Sequence, residues 1–176
     1  GVYLAGFWPG VMTFDSLSQW AQATGRLPWT DVHPALSTAG FWVASELGSP
    51  AILAGAQSFF LAWAIVSFAS AVGDLGAPQW AVLSACGAVL LAPSVGLFSV
   101  SLWKDVPYTA AILMLGAQVL RMMGAQLLLA GDDTVGGRNT LLDYLLVRAV
   151  LWAALASLLR QNGLVVVLVV LAAVAV

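Results

Sequence analysis

The chain has 176 residues, of which 61% are hydrophobic and only 8% charged, whereas a soluble domain carries about 25% charged residues because its surface must face water. So few charges exclude a water-soluble globule of this size and suit helices surrounded by lipid. The net charge of −2 excludes a nucleic-acid surface, which must be basic, and the single cysteine, Cys86, excludes an internal disulfide or a thiolate metal site.

Both ends read as cut. Gly1 to Trp8 resembles the last turns of a span already under way, and the apolar run from Leu164 to Val176 stops without a flank. The expectation is a single transmembrane domain over 1–176 that forms an internal slice of a longer protein, with residues 9–34 as a polar extracytoplasmic loop.

That loop, Pro9 to Pro34, holds most of the polar chemistry. Thr13 to Thr24 fits a short amphipathic helix: Phe14, Leu17, Trp20 and Ala21 share one face, and Asp15, Ser18, Gln19 and Gln22 form a polar stripe. Gly25 is a natural C′ residue. Such a helix lies in a membrane surface with its polar stripe toward water or a site. Asp15 is either a site carboxylate or a partner of the helix N-terminus. Further on, Asp31 and His33 alternate about Val32, and Pro34 keeps His33 out of the helical region. In extended backbone the two side chains point the same way. The competing reading is a turn that caps the next helix, and two or three scattered ligands do not define a metal site.

A bilayer core of about 30 Å needs roughly 20 apolar residues of helix. Pro50 to Gly73, Trp80 to Leu102, Pro107 to Ala130 and Leu141 to Leu159 meet that length, with Trp80 and Trp103 bracketing the second at headgroup level. Ala35 to Gly48 is shorter and reads as non-spanning. Residues 9–34, 103–106 and 160–163 then emerge on one face, and 73–79 and 131–140 on the other. Arg138, with Arg121 and Arg148 nearby, assigns the second face to the cytoplasm by the positive-inside rule, although Arg26, Lys104 and Arg160 count against it. Asp143 is a candidate partner for Arg148, and Gln57, Gln118 and Gln126 are candidates for interhelical hydrogen bonds.

Two later turns carry charge. In Lys104-Asp105-Val106-Pro107, Asp105 suits a helix cap and Pro107 the first helical turn, while Lys104 can snorkel to headgroups. Arg160-Gln161-Asn162-Gly163 breaks an apolar run as an ordinary polar turn would. Together with the loop, one face collects Asp15, Arg26, Asp31, His33, Lys104, Asp105 and Arg160, a mixture of signs that suits an anionic lipid headgroup.

The order Trp8-Pro9-Gly10, Phe14-Asp15-Ser16 with Gln19, Asp31-x-His33-Pro34, Lys104-Asp105 and Arg160-x-Asn162-Gly163 resembles an uncharacterised family of bacterial multi-pass membrane proteins. That family is in turn similar to the C-type (GT-C) glycosyltransferases, whose donors are polyprenyl-phosphate sugars. The resemblance implies an all-α, polytopic transmembrane helical bundle with an interfacial amphipathic helix in the first external loop. It implies localisation in the plasma (inner) membrane of a bacterium, with the site on the extracytoplasmic face. Asp15, His33-Pro34 and Asp105 match the family's acidic loop residue, its start of the next helix and its second acidic motif. GT-C first loops often carry an acidic pair, whereas Asp15 is followed by Ser16, which leaves a divalent cation an open question.

The activity so implied is transfer of a sugar from polyprenyl phosphate to an extracytoplasmic acceptor. Asp15 would be the catalytic base. Lys104, Arg160 or His33 would stabilise the departing phosphate, and Asp31, Asp105 and Asn162 would complete the substrate-binding set. The alternative function is a membrane transporter or lipid flippase, which would favour broken helices and internal repeats; a structural membrane subunit without a site is the third. The partners expected are the lipid-linked sugar and membrane lipid, and no nucleic acid.

Overall fold

The computed structural model describes residues 2–30, 32–129, 138–160, 163–165 and 167–168. Eight helices account for most of these: α1 (Val2–Gly6), α2 (Phe14–Ala23), α3 (Ala35–Glu46), α4 (Pro50–Asp74), α5 (Gln79–Leu91), α6 (Pro93–Val100), α7 (Asp105–Leu129) and α8 (Arg138–Leu159). Among the described residues there is no strand, only a lone parallel bridge between Val11 and Ser101. The fold is all-α.

Among the described residues three helices are long and apolar enough to cross a membrane: Pro50–Asp74, Asp105–Leu127 and Thr140–Leu159. At 1.5 Å per residue a 25-residue helix such as α4 reaches roughly 37 Å, more than a bilayer core requires. The 12 residues of α3 reach only about 18 Å, in keeping with the short-segment expectation.

The expected span from Trp80 to Leu102 is not one helix. It is broken into α5 and α6, whose axes diverge by 57°. The cause is Pro93, which has no N–H to donate and holds the preceding residue out of the helical region. Ala92 accordingly sits at φ −61°, ψ 124°, and Pro93 starts the new helix. The hydropathy of the stretch is unaffected by the proline, so a hydropathy reading passes straight through the break.

α7 lies between α4 and α8. Its Ala110 and Met114 pack with Leu61 and Ala64 of α4, and its Ala111 and Leu115 pack with Ala149, Ala153 and Ala156 of α8. The small residues let the backbones come close, the usual solution where helices meet in an apolar medium. α4 and α7 run parallel, as the approaches of Phe68 to Gly116 and of Leu75 to Gly124 show. Trp152 of α8 stacks on Phe60 at 5.7 Å and meets Trp63 edge-on at 5.9 Å. α5 stands at the periphery, without one buried residue.

Arg121 joins α7 to the far end of α4, with its Nε 3.4 Å from Asp74 Oδ2 and its Nη2 donating to the Ser67 carbonyl at 3.2 Å. Arg148, by contrast, does not use Asp143: its Nη1 donates to Tyr144 Oη at 3.1 Å and its guanidinium lies 5.4 Å over the same ring. One helical turn separates Arg148 from Tyr144, so that pair meets on one face, whereas Asp143 is five residues away. Of the three glutamines, only Gln57 bonds between elements among the described residues. Gln118 donates weakly to its own helix at Met114, 3.5 Å away, and Gln126 is exposed.

Candidate functional site

The loop helix α2 is built by local rules. Thr13 forms a reciprocal capping box with Ser16. At the other end Arg26 N donates to the Ala21 carbonyl at 2.8 Å and Gly25 N to Gln22 at 3.1 Å, a Schellman ending that Gly25 permits with φ +72°. The expected polar stripe is divided, with Asp15 exposed and Ser18 half-buried while Gln19 and Gln22 turn inward. Phe14 and Leu17 point outward, 86% and 53% exposed, while Ser16, Gln19 and Gln22 are buried. The reason lies in the acceptors and donors waiting on the protein side. Ser16 Oγ donates to the Leu102 carbonyl, Ser37 Oγ donates to Gln19 Oε1 at 2.7 Å, and Gln22 Nε2 donates to Thr30 Oγ1 at 3.3 Å. A polar stripe that finds partners inside turns inward.

The structure binds this loop to the segment after α6. Val11 N donates to the Val100 carbonyl at 3.0 Å and Leu102 N to the Val11 carbonyl at 2.9 Å. Trp103 Nε1 donates to Thr13 Oγ1 at 2.8 Å. Gly10 makes the approach possible: a Cβ there would stand 3.1 Å from Ala54 Cβ and 3.3 Å from the Val100 carbonyl oxygen.

The carbonyls that α6 leaves open at its C-terminus are all accounted for. Leu97 and Phe98 accept from Ser101 N, and Val100 accepts from Val11 N. Ser99 accepts from Gln57 Nε2 at 3.0 Å and from Ser58 Oγ at 2.8 Å. Ser101 accepts from Gln57 Nε2 and from Trp103 N, and Leu102 accepts from Ser16 Oγ. An irregular backbone stretch enclosed by helices needs this complete a set of donors, and side chains of α2 and α4 supply half of it.

Immediately beyond this stretch the charges gather. Lys104 precedes α7, Asp105 is in its first turn, and the end of α8 brings Arg160 alongside, with Nη1 3.2 Å from Asp105 Oδ1. The Arg160 guanidinium lies 5.4 Å from the centroid of Tyr108, within cation–π range. Beside the cluster is a cavity of about 140 Å³ lined by Leu36, Phe41, Leu53, Leu102 and Leu159 together with Ser37, Gln57 and Lys104. Two larger cavities lie elsewhere: about 320 Å³ at the bend between α5 and α6, and about 360 Å³ between α4, α5 and α7. Neither has a charged lining residue, so the smaller cavity is the one with chemistry beside it.

Of the residues expected to form a site, Lys104, Asp105 and Arg160 come together. Asp15 is exposed on α2 and makes no hydrogen bond or ion pair among the described residues; His33 is buried, with Nδ1 lacking a partner. Neither lines the 140 Å³ cavity. Asp31 and Asn162 lie outside the described residues, as does most of the expected 131–140 turn. Buried polar atoms of Gln22 and Thr38 also lack partners, Oε1 and Oγ1 respectively. Among the described residues no group of three His, Cys, Asp or Glu side chains assembles, so they form no ready site for a divalent cation.

Ser37, Gln57 and Tyr108 enter the site unannounced as site residues. Gln57 could be read from sequence as a hydrogen-bonding residue in an apolar helix, but its acceptors, freed by the end of α6, could not. Tyr108 lies one turn beyond Lys104, a spacing that by itself says nothing of a cation brought by α8. Comparison with protein-family models, with curated proteins and with solved structures gives no match to this chain.

Proposed function

We propose that the chain belongs to a membrane glycosyltransferase of the C type, which transfers a sugar from a polyprenyl-phosphate donor to an acceptor at the membrane surface. The observation that carries the reading is the pairing of Lys104, Asp105 and Arg160 with a largely apolar cavity, at one end of helices long enough to span a bilayer. That combination suits an amphiphile with an anionic headgroup, because charge near lipid is costly unless it meets opposite charge. In this reading the helices form a polytopic bundle in a bacterial plasma membrane. α2 lies along the interface, its exposed Phe14 and Leu17 in lipid, on the extracytoplasmic side.

The reaction forms a bond from an acceptor hydroxyl oxygen to the anomeric carbon and breaks the bond from that carbon to the phosphate oxygen. The acceptor proton passes to Asp15, whose carboxylate is exposed and unpaired among the described residues and sits between two residues, Thr13 and Ser16, that are tied to the segment leading into Lys104. The electron pair leaves on the lipid phosphate, which Lys104 and Arg160 stabilise.

One observation favours a second reading, a transporter or flippase: the 57° break between α5 and α6, with a cavity of about 320 Å³ at the bend. The full-length protein in proteoliposomes with a labelled polyprenyl-phosphate sugar separates the two. The transferase yields sugar on a new acceptor and free lipid phosphate, and Asp15→Asn lowers turnover by roughly 10²-fold or more. Movement of intact donor without cleavage would establish the transporter instead. Full glycosyl transfer by Asp15→Asn would remove Asp15 from the mechanism.

A further inference from the structure

The Arg160–Asp105 contact is close but poorly aligned. Nη1 and Oδ1 are 3.2 Å apart, yet Oδ1 is enclosed and receives no hydrogen bond. An N–H of the guanidinium aimed at that oxygen would satisfy it, as in the parallel two-bond arrangement that arginine forms with carboxylates and phosphates. Arg160 donates no side-chain hydrogen bond among the described residues, and its side chain is 45% exposed. Among the described residues its five donors are therefore free of hydrogen bonds. The Tyr108 ring holds the guanidinium from its face and leaves those donors, which lie around the edge, open.

Among the described residues the charges of the cluster do not balance. Lys104 and Arg160 carry two positive charges against one on Asp105, and Lys104, half-buried on the cavity wall, has no ion-pair partner among the described residues. An oxyanion of the phosphate-monoester kind, with about −1.5 to −2 charge and three acceptor oxygens, complements the two cations better than one misaligned carboxylate does. Asp105 has a way out as well. Its side chain is 37% exposed and can turn to water, and its backbone role is independent of that movement, because the Asp105 carbonyl accepts from Thr109 Oγ1 at 2.7 Å.

We propose that Asp105 is an exchangeable counter-ion: its carboxylate neutralises Arg160 while the site is empty and is displaced by an oxyanion that binds Arg160 and Lys104. The idea rests on the reading of the cavity as a phosphate-bearing ligand's site, but not on any turnover there. It gives Asp105 a role opposite to that of a substrate-binding residue, since the carboxylate competes with the ligand. It also explains why a charge pair beside a cavity is held so loosely: a pair to be exchanged must not be too stable.

Binding affinity of the purified full-length protein in nanodiscs tests this, with inorganic phosphate in one arm and vesicles of phosphatidylcholine containing phosphatidic acid in the other. If the carboxylate occupies Arg160 nine-tenths of the time, Asp105→Asn tightens binding about tenfold, because an occupied site lowers apparent affinity by the competent fraction. Arg160→Gln removes the binding that Asp105→Asn enhances. Tightening in both arms supports the exchange with the headgroup alone as ligand, and tightening only with phosphatidic acid supports it with the lipid anchor required. Unchanged or weaker binding in both arms overturns the proposal. Should Asp105→Asn not fold, Asp105→Ser is the second variant, with the same expected sign. Loss of glycosyl transfer as an activity would leave the tightening untouched, so the two readings fail separately.

Discussion

Gln57 and Ser58 converge on the end of α6, and removing them separately and together gives an outcome fixed by counting acceptor partners. Gln57→Leu keeps the side-chain volume close to native and removes two donated bonds, to Ser99 and to Ser101. Both carbonyls keep another donor, Ser58 Oγ in one case and Trp103 N in the other. The loss is therefore the net worth of two hydrogen bonds at about 1 kcal/mol each, roughly 2 kcal/mol. Ser58→Ala alone costs roughly 1 kcal/mol, since Gln57 still serves Ser99. In the double variant Ser99 has no donor left, and an enclosed carbonyl without a partner costs a further 1–3 kcal/mol or so. The double-mutant cycle should show a coupling energy of about 1 kcal/mol or more, destabilising beyond the sum. The assay is thermal or denaturant unfolding of the four purified proteins in the same detergent. Strict additivity would refute the reasoning, because it would mean that Ser99 finds a third donor or needs none.

Gly163→Ala should destabilise by about 1–3 kcal/mol, since a Cβ there falls 2.5 Å from the Ala156 carbonyl oxygen and 3.0 Å from Ser157 Cα, backbone atoms that no rotamer change can move. Unaltered thermal stability of the variant would count against this packing of the turn after Arg160. In a Cys86→Ala background, single cysteines replacing Trp29 and Gly76 should react with an impermeant thiol reagent from opposite sides of sealed vesicles. Reaction of both from one side would overturn the spanning arrangement and the shared face built on it.

How far the structure could be read from the sequence depends on what each feature required. α4, α7 and α8 follow from long apolar runs with charged or polar ends, and their observed bounds lie within a few residues of the expected ones. The short α3 follows from its length between Pro34 and the turn at Gly48. α2 is legible as a helix with a polar stripe, but which residues of the stripe turn inward is not. Periodicity shows that a helix has two faces; which one turns inward depends on whether partners such as the Leu102 carbonyl and Ser37 await it. The break at Ala92–Pro93 is invisible to hydropathy, because it is set by the proline's missing N–H and its steric hold on Ala92. In the site, Lys104 and Asp105 are neighbours in sequence, and the closeness of Arg160 follows from α7 and α8 crossing in opposite directions. The placement of Tyr108 beneath Arg160 depends on the rotation of both helices, which no local pattern encodes.

The bridge between Val11 and Ser101 has a mechanical consequence. Two backbone bonds, the Trp103 indole and the Ser16 hydroxyl all fasten the loop to a stretch only four residues long, Val100 to Trp103. Lys104 is the next residue, and no free segment intervenes to absorb a displacement. Any tilt of α2 is therefore transmitted to the Lys104 backbone as by a lever with its fulcrum at the bridge. A surface-lying helix with Phe14 and Leu17 outward responds to what lies against it. The position of a cation at the cavity wall thus becomes sensitive to the surroundings of a helix that does not line the cavity.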